Sequence, residues 1–448
     1  MNSQKADTAL LEALLARGVD IRHPGSVVVE ASVRPENIAP GVVIHAGCRL
    51  RGDRLTIGPD CEIGLEAPVT LENCQLARGV RLAGGFFSGS VFLDGARVGS
   101  GAHVRPGSIL EEEASAAHCV GLKQTILFPY VTLGSLINLC DCLVSGGTGP
   151  RNHSEVGSSY IHFNFTPHGD KATASLLGDV PQGVMLDKAP IFLGGQGGLV
   201  GPARIAFGSV LAAGVICRQD ILVENHLYAA HSDGPKAPVP YDPGFYTGLR
   251  RLVINNLHYI GNIKALRVWY EEARRPFLSR TAYGQACLAG ALRALDLILE
   301  ERVRRMDEVA EKIASFLADV DAGRRPDPGP AALAGHRRFV EGWATVRQRL
   351  GTLSSRRFGT SASQQPGASV SEQPGASVSE QLGASSSQRE GIREREIFLA
   401  EWEKLLKADS YLEAVRSLTP QGKAAGTAWL QAVVDEVGEV AAELLCGR

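Results

Sequence analysis

The chain has 448 residues, of which 44% are hydrophobic, so it is long enough for two or three domains and a sizeable core. Its formal net charge of -2 lacks the basic excess typical of proteins that bind nucleic acids or anionic membranes. We therefore expect a globular protein with no nucleic-acid partner, although a local basic site could still bind phosphate.

The first 29 residues are predicted to form an N-terminal helix and a lead-in segment. Leucines at positions 10, 11, 14 and 15 give the helix an apolar face, and the segment lacks the apolar core and cleavage site of a signal peptide. No run of about 18 apolar residues occurs in the chain, so we expect no membrane span. The nine scattered cysteines are an odd number, which favours reduced thiols and a cytoplasmic protein.

Residues 30–225 carry a six-residue repeat. Each unit opens with an aliphatic residue and has a small residue at its fourth or fifth position; the units read IAPGVV, IHAGCR, IGPDCE, IGLEAP, VGSGAH, VRPGSI, IAFGSV and LAAGVI. This hexapeptide pattern is typical of a left-handed parallel β-helix, in which three short strands make one coil and the aliphatic residue points inward. The alternative is an antiparallel β-sandwich, but its strands alternate with a period of two and do not restart every six residues. The predicted inward stack is Ile38, Ile44, Ile57, Ile63, Val98, Val104, Ile205 and Leu211.

Two stretches interrupt the repeat, residues 110–159 and residues 166–201. Insertions in a solenoid project from one face and often form its binding surface. We therefore expect the substrate to bind near these two stretches.

The second half of the chain is predicted to be helical. Four prolines between residues 226 and 244 indicate an extended connector at the start of a helical domain, residues 226–350. Apolar residues at 3-4 spacing from Leu288 to Val320 predict a long amphipathic helix, whose charged side, including Arg302, is expected to face solvent. Octapeptide near-copies make residues 351–390 a predicted disordered linker, and residues 391–448 return to helix. The predicted fold class is mainly β, a left-handed parallel β-helix followed by an α-helical C-terminal region.

Five motifs between Arg105 and Asp220 carry the functional signal. They are RPG at residues 105–107, VGLK ending at Lys123, GSLINLCD at 134–141, NF followed by GDK at 164–171, and FLGGQGGLVGPARIAFGSVLAAG at 192–214. In these motifs the chain resembles the acetyltransferase half of the bifunctional UDP-N-acetylglucosamine pyrophosphorylase/glucosamine-1-phosphate acetyltransferase family.

The resemblance implies transfer of an acyl group from acetyl-CoA or another acyl-CoA to the amino group of a sugar phosphate or nucleotide sugar. The acceptor contacts that it implies are Arg105, Lys123, Asn138, Asn164 and Lys171. Gly195 and Ala212 or Ala213 fall at positions that contact the acyl-CoA. Proteins of this family form parallel homotrimers with active sites between subunits, so a homotrimer is expected. The family's nucleotide-transferring domain with its Gly-rich phosphate loop is not recognisable, so pyrophosphorylase activity is not expected.

Two positions depart from the family. Ser135 stands where the family has its catalytic histidine, and Asn138 stands where it has tyrosine. Acyl transfer to an amine needs a base with a pKa near the working pH, and imidazole is the usual one. Because serine cannot do this unaided, we hypothesise that His162 or His168 supplies the base. His162 is predicted to project from the same strand face as Asn164, which could stabilise the oxyanion.

Two other functions stay open on the residues alone. His153, His162 and His168 could hold zinc as in γ-class carbonic anhydrases, but their spacings of nine and six residues do not fit that class. Cys140 and Cys142 form a C-x-C with no second pair nearby, so no metal site is expected. Loss of the family histidine could instead mark a non-catalytic scaffold that binds a nucleotide sugar or acyl-CoA. The histidines and lysines at these positions could also be ordinary structural or surface residues.

Overall fold

The computed structural model describes residues 2–229, 243–355 and 386–446. Residues 20–228 form a parallel β-helix, in which each coil gives one short strand to each of three sheets, named A, B and C. Helices follow from residue 249 onward, and two of them, Leu249–Trp269 and Ala282–Asp321, pack against strands of the β-helix. The predicted fold class, a hexapeptide β-helix followed by an α-helical C-terminal region, is confirmed.

Within the described residues the three sheets contain eleven, ten and eight strands, and all neighbours within them are parallel. Sheet A consists of β1 (Asp20–Ile21), β3 (Val43–Ile44), β6 (Glu62–Ile63), β9 (Arg81–Leu82), β12 (Arg97–Val98), β15 (Ser115–Ala116), β18 (Thr132–Leu133), β23 (Glu155–Val156), β26 (Phe192–Leu193), β29 (Val210–Leu211) and β31 (Leu227–Tyr228). Sheet B consists of β2 (Val28–Val29), β4 (Arg49–Arg51), β7 (Val69–Glu72), β10 (Gly85–Ser88), β13 (Ala102–Val104), β16 (Gly121–Lys123), β19 (Asn138–Cys140), β24 (Ile161–Phe163), β27 (Gly198–Val200) and β30 (Ile216–Cys217). Sheet C consists of β5 (Thr56–Ile57), β8 (Gln75–Leu76), β11 (Val91–Phe92), β14 (Ile109–Leu110), β17 (Ile126–Leu127), β20 (Cys142–Val144), β25 (Ser175–Leu177) and β28 (Arg204–Ile205). A separate antiparallel hairpin joins β21 (Gly147–Gly149) to β22 (Asn152–His153).

The opening residues of the six-residue units point into the β-helix, as predicted. All eight predicted members of the inward stack are at most 2% exposed. They stack on their equivalents in the next coil, since Ile44 pairs with Ile63 and Ile63 with Leu82. Burying an aliphatic side chain of this size contributes about 1.5–3 kcal/mol, so this stack is a main source of the stability of the coils.

The first predicted interruption is wrong over residues 110–144, where regular coils continue through β20. The repeat is hidden there because residues other than glycine take the left-handed corner conformation, for example Cys119 (φ 58°), Leu136 (φ 59°) and Asp141 (φ 60°). The chain leaves the coils between β20 and β23, between β24 and β25, and between β25 and β26, where the short helix α2 (Val180–Gly183) lies.

The other helices flank the β-helix. They are α1 (Asn2–Ala16), α3 (Leu249–Trp269), α4 (Arg275–Leu278), α5 (Ala282–Asp321), α6 (Pro330–Ser355), α7 (Ser386–Leu405), α8 (Tyr411–Ser417) and α9 (Pro420–Cys446), with a π-helical segment at Tyr270–Arg274. In the part of the chain that the structure describes, no helix is long and apolar enough to cross a membrane. The predicted linker falls mostly on residues 356–385, which lie outside the described residues. The predicted domain boundaries stay predictions.

The helices cover sheet C. Helix α5 lies against β5, β8 and β11, and α3 lies against β25. One hydrophobic cluster contains inward residues of the coils together with helical residues such as Trp269 and Leu295. The expectation that the whole charged side of α5 faces solvent is wrong for Arg302, which is 0% exposed and pairs with Asp141 at 2.9 Å. The helical half and the β-helix therefore share one core.

Candidate active site

The corner between sheets A and B forms a straight column, here called the A–B edge. Its members are Ser100, His118, Ser135, Ser158, Gly195 and Ala213. For each member after Ser100, the amide of the next residue donates to the carbonyl of the member one coil before it, over 2.8–3.1 Å. The residues that follow are left-handed, as Leu136 (φ 59°) and Gln196 (φ 54°) show. Three predicted site residues, Ser135, Gly195 and Ala213, therefore lie on one edge.

Ser135 has a histidine neighbour that the sequence analysis did not single out. The hydroxyl of Ser135 lies 2.9 Å from Nδ1 of His118. Its amide donates to Oγ of Ser158 at 3.1 Å. His118 is exposed and Ser135 is half-buried, so the imidazole is open to a ligand on this edge. An imidazole from the preceding coil therefore lies directly beside Ser135.

One signal could have identified His118 from the sequence. It precedes Ser135 by 17 residues, which is one coil, because Ala116 of β15 pairs with Leu133 of β18. Aligning the coils on these inward residues places His118 and Ser135 at the same corner.

His162 lies inside the β-helix, so the prediction that it projects beside Asn164 is wrong. It pairs with the inward residue Leu199 and is 2% exposed. Its Nδ1 lies 2.7 Å from the carbonyl oxygen of Cys140, and its Nε2 lies 2.9 Å from Oγ of Ser175. The carbonyl can only accept, so Nδ1 carries the proton and Nε2 accepts from the hydroxyl. Burial lowers the pKa of His162 to about 4. A ring with both nitrogens occupied inside the coil has no free site to act as a base.

His168 lies where the loop after β24 meets the helical half. Its ring stacks on Tyr246 with centroids 4.2 Å apart, and its Nδ1 accepts the amide of Gly244 at 3.2 Å. Its carbonyl accepts from Nζ of Lys312 at 2.8 Å. Burial is the main cause that lowers the pKa of this histidine. These contacts assign His168 a packing role between loop and helices, and its predicted catalytic role has no support in the geometry.

The predicted cations lie on the outer side of sheet B. Lys123 of β16 pairs with Cys140 of β19, and the amide of Arg105 donates to the carbonyl of Leu122 at 2.8 Å, which places Arg105 beside Lys123. The guanidinium of Arg105 reaches the Sγ of Cys140 at 3.4 Å. Asn138 is exposed on β19, between Ser135 and Cys140. Two neighbouring cations can bind a phosphate, and the planar arginine can do so through two hydrogen bonds.

Asn164 and Lys171, the other two predicted acceptor contacts, lie on the loop between β24 and β25, and both are half-buried. The loop folds around Asp170, which is 0% exposed. This carboxylate accepts from Oγ1 of Thr166 at 2.7 Å and from the hydroxyl of Tyr246 at 2.9 Å. The helical half therefore holds the loop that carries both residues.

The remaining predicted positions, Gly195 and the alanines at 212 and 213, lie where coils approach closely. A Cβ atom on Gly195 would lie 2.8 Å from the carbonyl oxygen of Ser158, so a larger residue does not fit without a shift. Ala212 is half-buried and Ala213 is exposed. The C-terminal part of the A–B edge is thus a smooth strip without long side chains.

No metal centre forms from the predicted histidines. Nδ1 of His153 lies 3.0 Å from the carbonyl of Pro150, on the hairpin and apart from His162 inside the coil. Among the described residues, no group of three or more histidine, cysteine or acidic side chains is arranged to hold a metal ion.

The candidate site is an open surface. A cavity of about 410 Å³ lies beside Arg204, Asp220 and Arg251, and none of the predicted site residues line it. Ligands at the A–B edge would instead lie along the outside of the coils.

Comparison with known proteins supports the resemblance drawn from the motifs. No family model matches the chain. The chain is 26% identical over 212 residues to the bifunctional protein GlmU of Thermotoga petrophila, which is 47% of this chain and 42% of that protein. It is 28% identical over 207 residues to GlmU of Brevibacillus brevis, covering 46% and 40% of the two chains, and 26% identical over 209 residues to GlmU of Pelobacter propionicus, also covering 46% and 40%. The chain thus spans about two fifths of the length of the curated relatives it matches. The resemblance drawn from the motifs is confirmed.

Proposed function

We propose that this protein transfers the acyl group of an acyl-CoA to the amino group of a sugar phosphate or nucleotide sugar. The observation that carries the proposal is the 2.9 Å contact between His118 and Ser135, which puts an imidazole on the edge where the resemblance expects the base. The similarity to GlmU proteins supports the same class of reaction.

His118 is the proposed general base. In the productive arrangement its Nδ1–H donates to Oγ of Ser135, which leaves Nε2 free to take a proton from the attacking amine. Ser135 then fixes the tautomer and the orientation of the ring and does not itself exchange the proton. This replaces the earlier assignment of the base to His162 or His168.

The acceptor is proposed to lie across sheet B. Arg105 and Lys123 would bind its phosphate, and Asn138 lies between these cations and Ser135. Asn164 and Lys171 would complete the contacts from the loop. Two cations suit a phosphate dianion better than a neutral sugar, which is why we assign an amino-sugar phosphate or nucleotide sugar.

The acyl donor is proposed to lie along the smooth strip of the A–B edge at Gly195, Ala212 and Ala213. The acceptor amine attacks the carbonyl carbon of the thioester, a C–N bond replaces the C–S bond, and CoA leaves as its thiol while the amine proton passes to the base. The small side chains leave room for an extended ligand, and the strip continues directly from His118 through Ser135.

We further propose that a homotrimer completes the site in a cytoplasmic setting. Leu136, Ile161 and Phe163 expose large apolar side chains on and beside sheet B, at 56%, 41% and 39%. A neighbouring subunit over sheet B would cover them and enclose the acceptor. The eight cysteines in the described residues are all free, as expected for a reducing compartment.

The test is an assay of CoA release from acetyl-CoA with glucosamine 1-phosphate and with UDP-linked amino sugars. We expect wild-type turnover, and a loss of about 10²–10⁴-fold in kcat for His118→Gln, since that is the usual contribution of a general base. The remote, exposed His23→Gln is the matched control and should keep most of the rate.

Full activity of His118→Gln would eliminate His118 as the base. Binding of acyl-CoA and acceptor by the wild type without turnover would instead favour the non-catalytic scaffold, for which the serine at position 135 is the supporting observation.

A further inference from the structure

A single arginine from the helical half reaches the β-helix at the candidate acceptor site. Arg302 lies on α5 and is 0% exposed. Its Nη2 donates to Oδ1 of Asp141 at 2.9 Å and to Oε1 of Gln124 at 3.4 Å. Its Nη1 donates to the carbonyl of Lys171 at 3.1 Å. One guanidinium therefore ties together two corners of the β-helix and the loop after β24.

The two corners belong to the proposed acceptor site. Gln124 directly follows Lys123, and Asp141 directly follows Cys140, which contacts Arg105. The amide of Asp141 also donates to the carbonyl of Lys123 at 2.9 Å. A shift of either corner would therefore move the cations proposed to bind phosphate.

The loop is the third segment that Arg302 holds. The carbonyl of Lys171 is a direct partner of Nη1. Two further residues of the helical half hold the same loop, because Tyr246 donates to Asp170 at 2.9 Å and Lys312 donates to the carbonyl of His168 at 2.8 Å. The loop that carries Asn164 and Lys171 is thus fixed from the helical side.

Arg302 also changes the charge that an anionic acceptor meets. Asp141 is buried beside the corner that follows Cys140, and an unpaired carboxylate there would repel a phosphate. The guanidinium neutralises it at 2.9 Å. The other N–H groups of the buried guanidinium also need acceptors, and the carbonyl of Lys171 and Oε1 of Gln124 provide them, so the position of Arg302 is coupled to the loop as well as to the two corners.

We infer that Arg302 is a positioning residue for the acceptor, and that one role of the helical half is to hold this arginine against the acceptor site. This inference rests on the proposed function. It assigns a role in acceptor binding to a region that follows the resembling motifs in the chain, and it predicts that Arg302 affects the acceptor and not the acyl donor.

The experiment uses the full chain with Arg302→Lys, which keeps the charge and loses the planar fork. Arg304→Lys is the matched control, because Arg304 lies on the same helix, is 52% exposed, and among the described residues pairs with Glu301 and Glu308 of α5. We expect the KM for the acceptor to rise at least about tenfold in Arg302→Lys, the scale of lost hydrogen bonds to a charged group. The KM for acetyl-CoA should stay within about twofold.

A second measurement does not depend on turnover. Amide hydrogen exchange in residues 164–174 should be faster in Arg302→Lys and unchanged in Arg304→Lys. Tyr246→Phe removes one hydroxyl contact to the same loop and should speed exchange there to a smaller extent.

Equal rises in both KM values, or unchanged exchange in residues 164–174, would overturn the inference. If the wild type turns over no acceptor, the proposed function fails, and the exchange experiment with glucosamine 1-phosphate still decides whether Arg302 holds the loop. Protection of residues 164–174 by this ligand in the wild type but not in Arg302→Lys would support the role.

Discussion

Sheets A and C of the same β-helix have opposite surroundings, and their strands differ accordingly. Most strands of sheet A place a polar residue outside and an apolar one inside, as in Arg81–Leu82 and Arg97–Val98. The middle strands of sheet C are apolar at both positions, as in Val91–Phe92, Ile109–Leu110 and Ile126–Leu127, and both residues of each are buried. A strand that is covered on both faces is mostly apolar, because any polar side chain there needs a hydrogen-bond partner inside the protein. The helical half therefore occupies one face of the β-helix and leaves the A–B edge free for ligands.

The two regions also use charge differently. Sheet C is joined to the helices by buried ion pairs, whereas the cations beside sheet B are half-buried or exposed. Buried ion pairs contribute little net stability, but removal of one partner leaves an uncompensated charge in the interior and is strongly destabilising. Such pairs therefore fix how two surfaces dock. Exposed cations remain able to bind a ligand.

The largest effect is expected on the covered side, at Arg274. Its guanidinium donates to Glu111 at 2.7 Å and to Glu112 at 2.8 Å, and it is 1% exposed. Arg274→Met leaves two buried carboxylates unpaired and should lower the free energy of unfolding by about 3–5 kcal/mol. Urea denaturation measures this, with the exposed neighbour in Arg275→Met as control.

Adding Glu111→Gln and Glu112→Gln to Arg274→Met should restore part of the stability, because no unpaired carboxylate then remains buried. A loss below about 1 kcal/mol in the single variant, typical of a surface pair, would contradict the picture of a charge-specified interface.

A pH-dependent effect is expected inside the coil, at His162. Burial lowers the pKa of His162 to about 4, from an ordinary value of 6.5. The unfolded chain therefore takes up a proton below about pH 6.5 that the folded chain refuses until about pH 4, so stability falls as the pH drops through this window, by at most about 3 kcal/mol. In His162→Gln this part of the decline should vanish, as measured by urea denaturation at several pH values.

The exposed His23→Gln is the control and should retain the wild-type slope. If the pH dependence of stability is the same in His162→Gln as in the wild type, the folded chain takes up the proton at His162 as readily as the unfolded chain does. That result would contradict the assignment of His162 as a neutral core residue.

The smallest effect is expected on the open side, at Ala213. Ala213→Trp places a large ring on the exposed A–B edge and should raise the KM for acetyl-CoA about tenfold through steric exclusion, with little change for the acceptor. Steady-state kinetics with each substrate varied in turn measures both values. Val28→Trp, at an exposed position in the first coils of sheet B, should leave both unchanged. A rise in the KM for the acceptor alone, with an unchanged KM for acetyl-CoA, would show that acyl-CoA does not bind at Ala213.

The repeat predicts the interior of the β-helix well because every inward position has the same requirement, an apolar side chain that contacts the coils above and below it. Corners are harder to predict, since Leu136 or Asp141 can take a conformation usually left to glycine when backbone bonds fix it. His162 was misplaced for a related reason. It occupies an inward rung between Leu139 and Leu199, and the neighbouring Ile161 and Phe163 are exposed, which reverses the apolar alternation.

The site was predictable only in part. Ser135, Gly195 and Ala213 follow from motifs, and His118 follows once the coils are aligned. Arg302 does not, because its position depends on how α5 packs across sheet C, and its partner Asp141 is 161 residues away in the chain. The apolar pairs of sheet C do contain a usable signal, since they indicate that some element must cover this face.

The distance of 161 residues between Asp141 and Arg302 also sets an order of events during synthesis. At about 5 to 20 residues per second, roughly 8 to 32 seconds pass after a ribosome adds Asp141 before Arg302 exists. Coils can stack as soon as they emerge, so during this interval Val91 and Ile109 on the outer side of sheet C face solvent. The outer side of sheet C therefore stays exposed and apolar until the helices that cover it have been made. A chaperone that binds apolar surfaces would benefit this protein most in that interval.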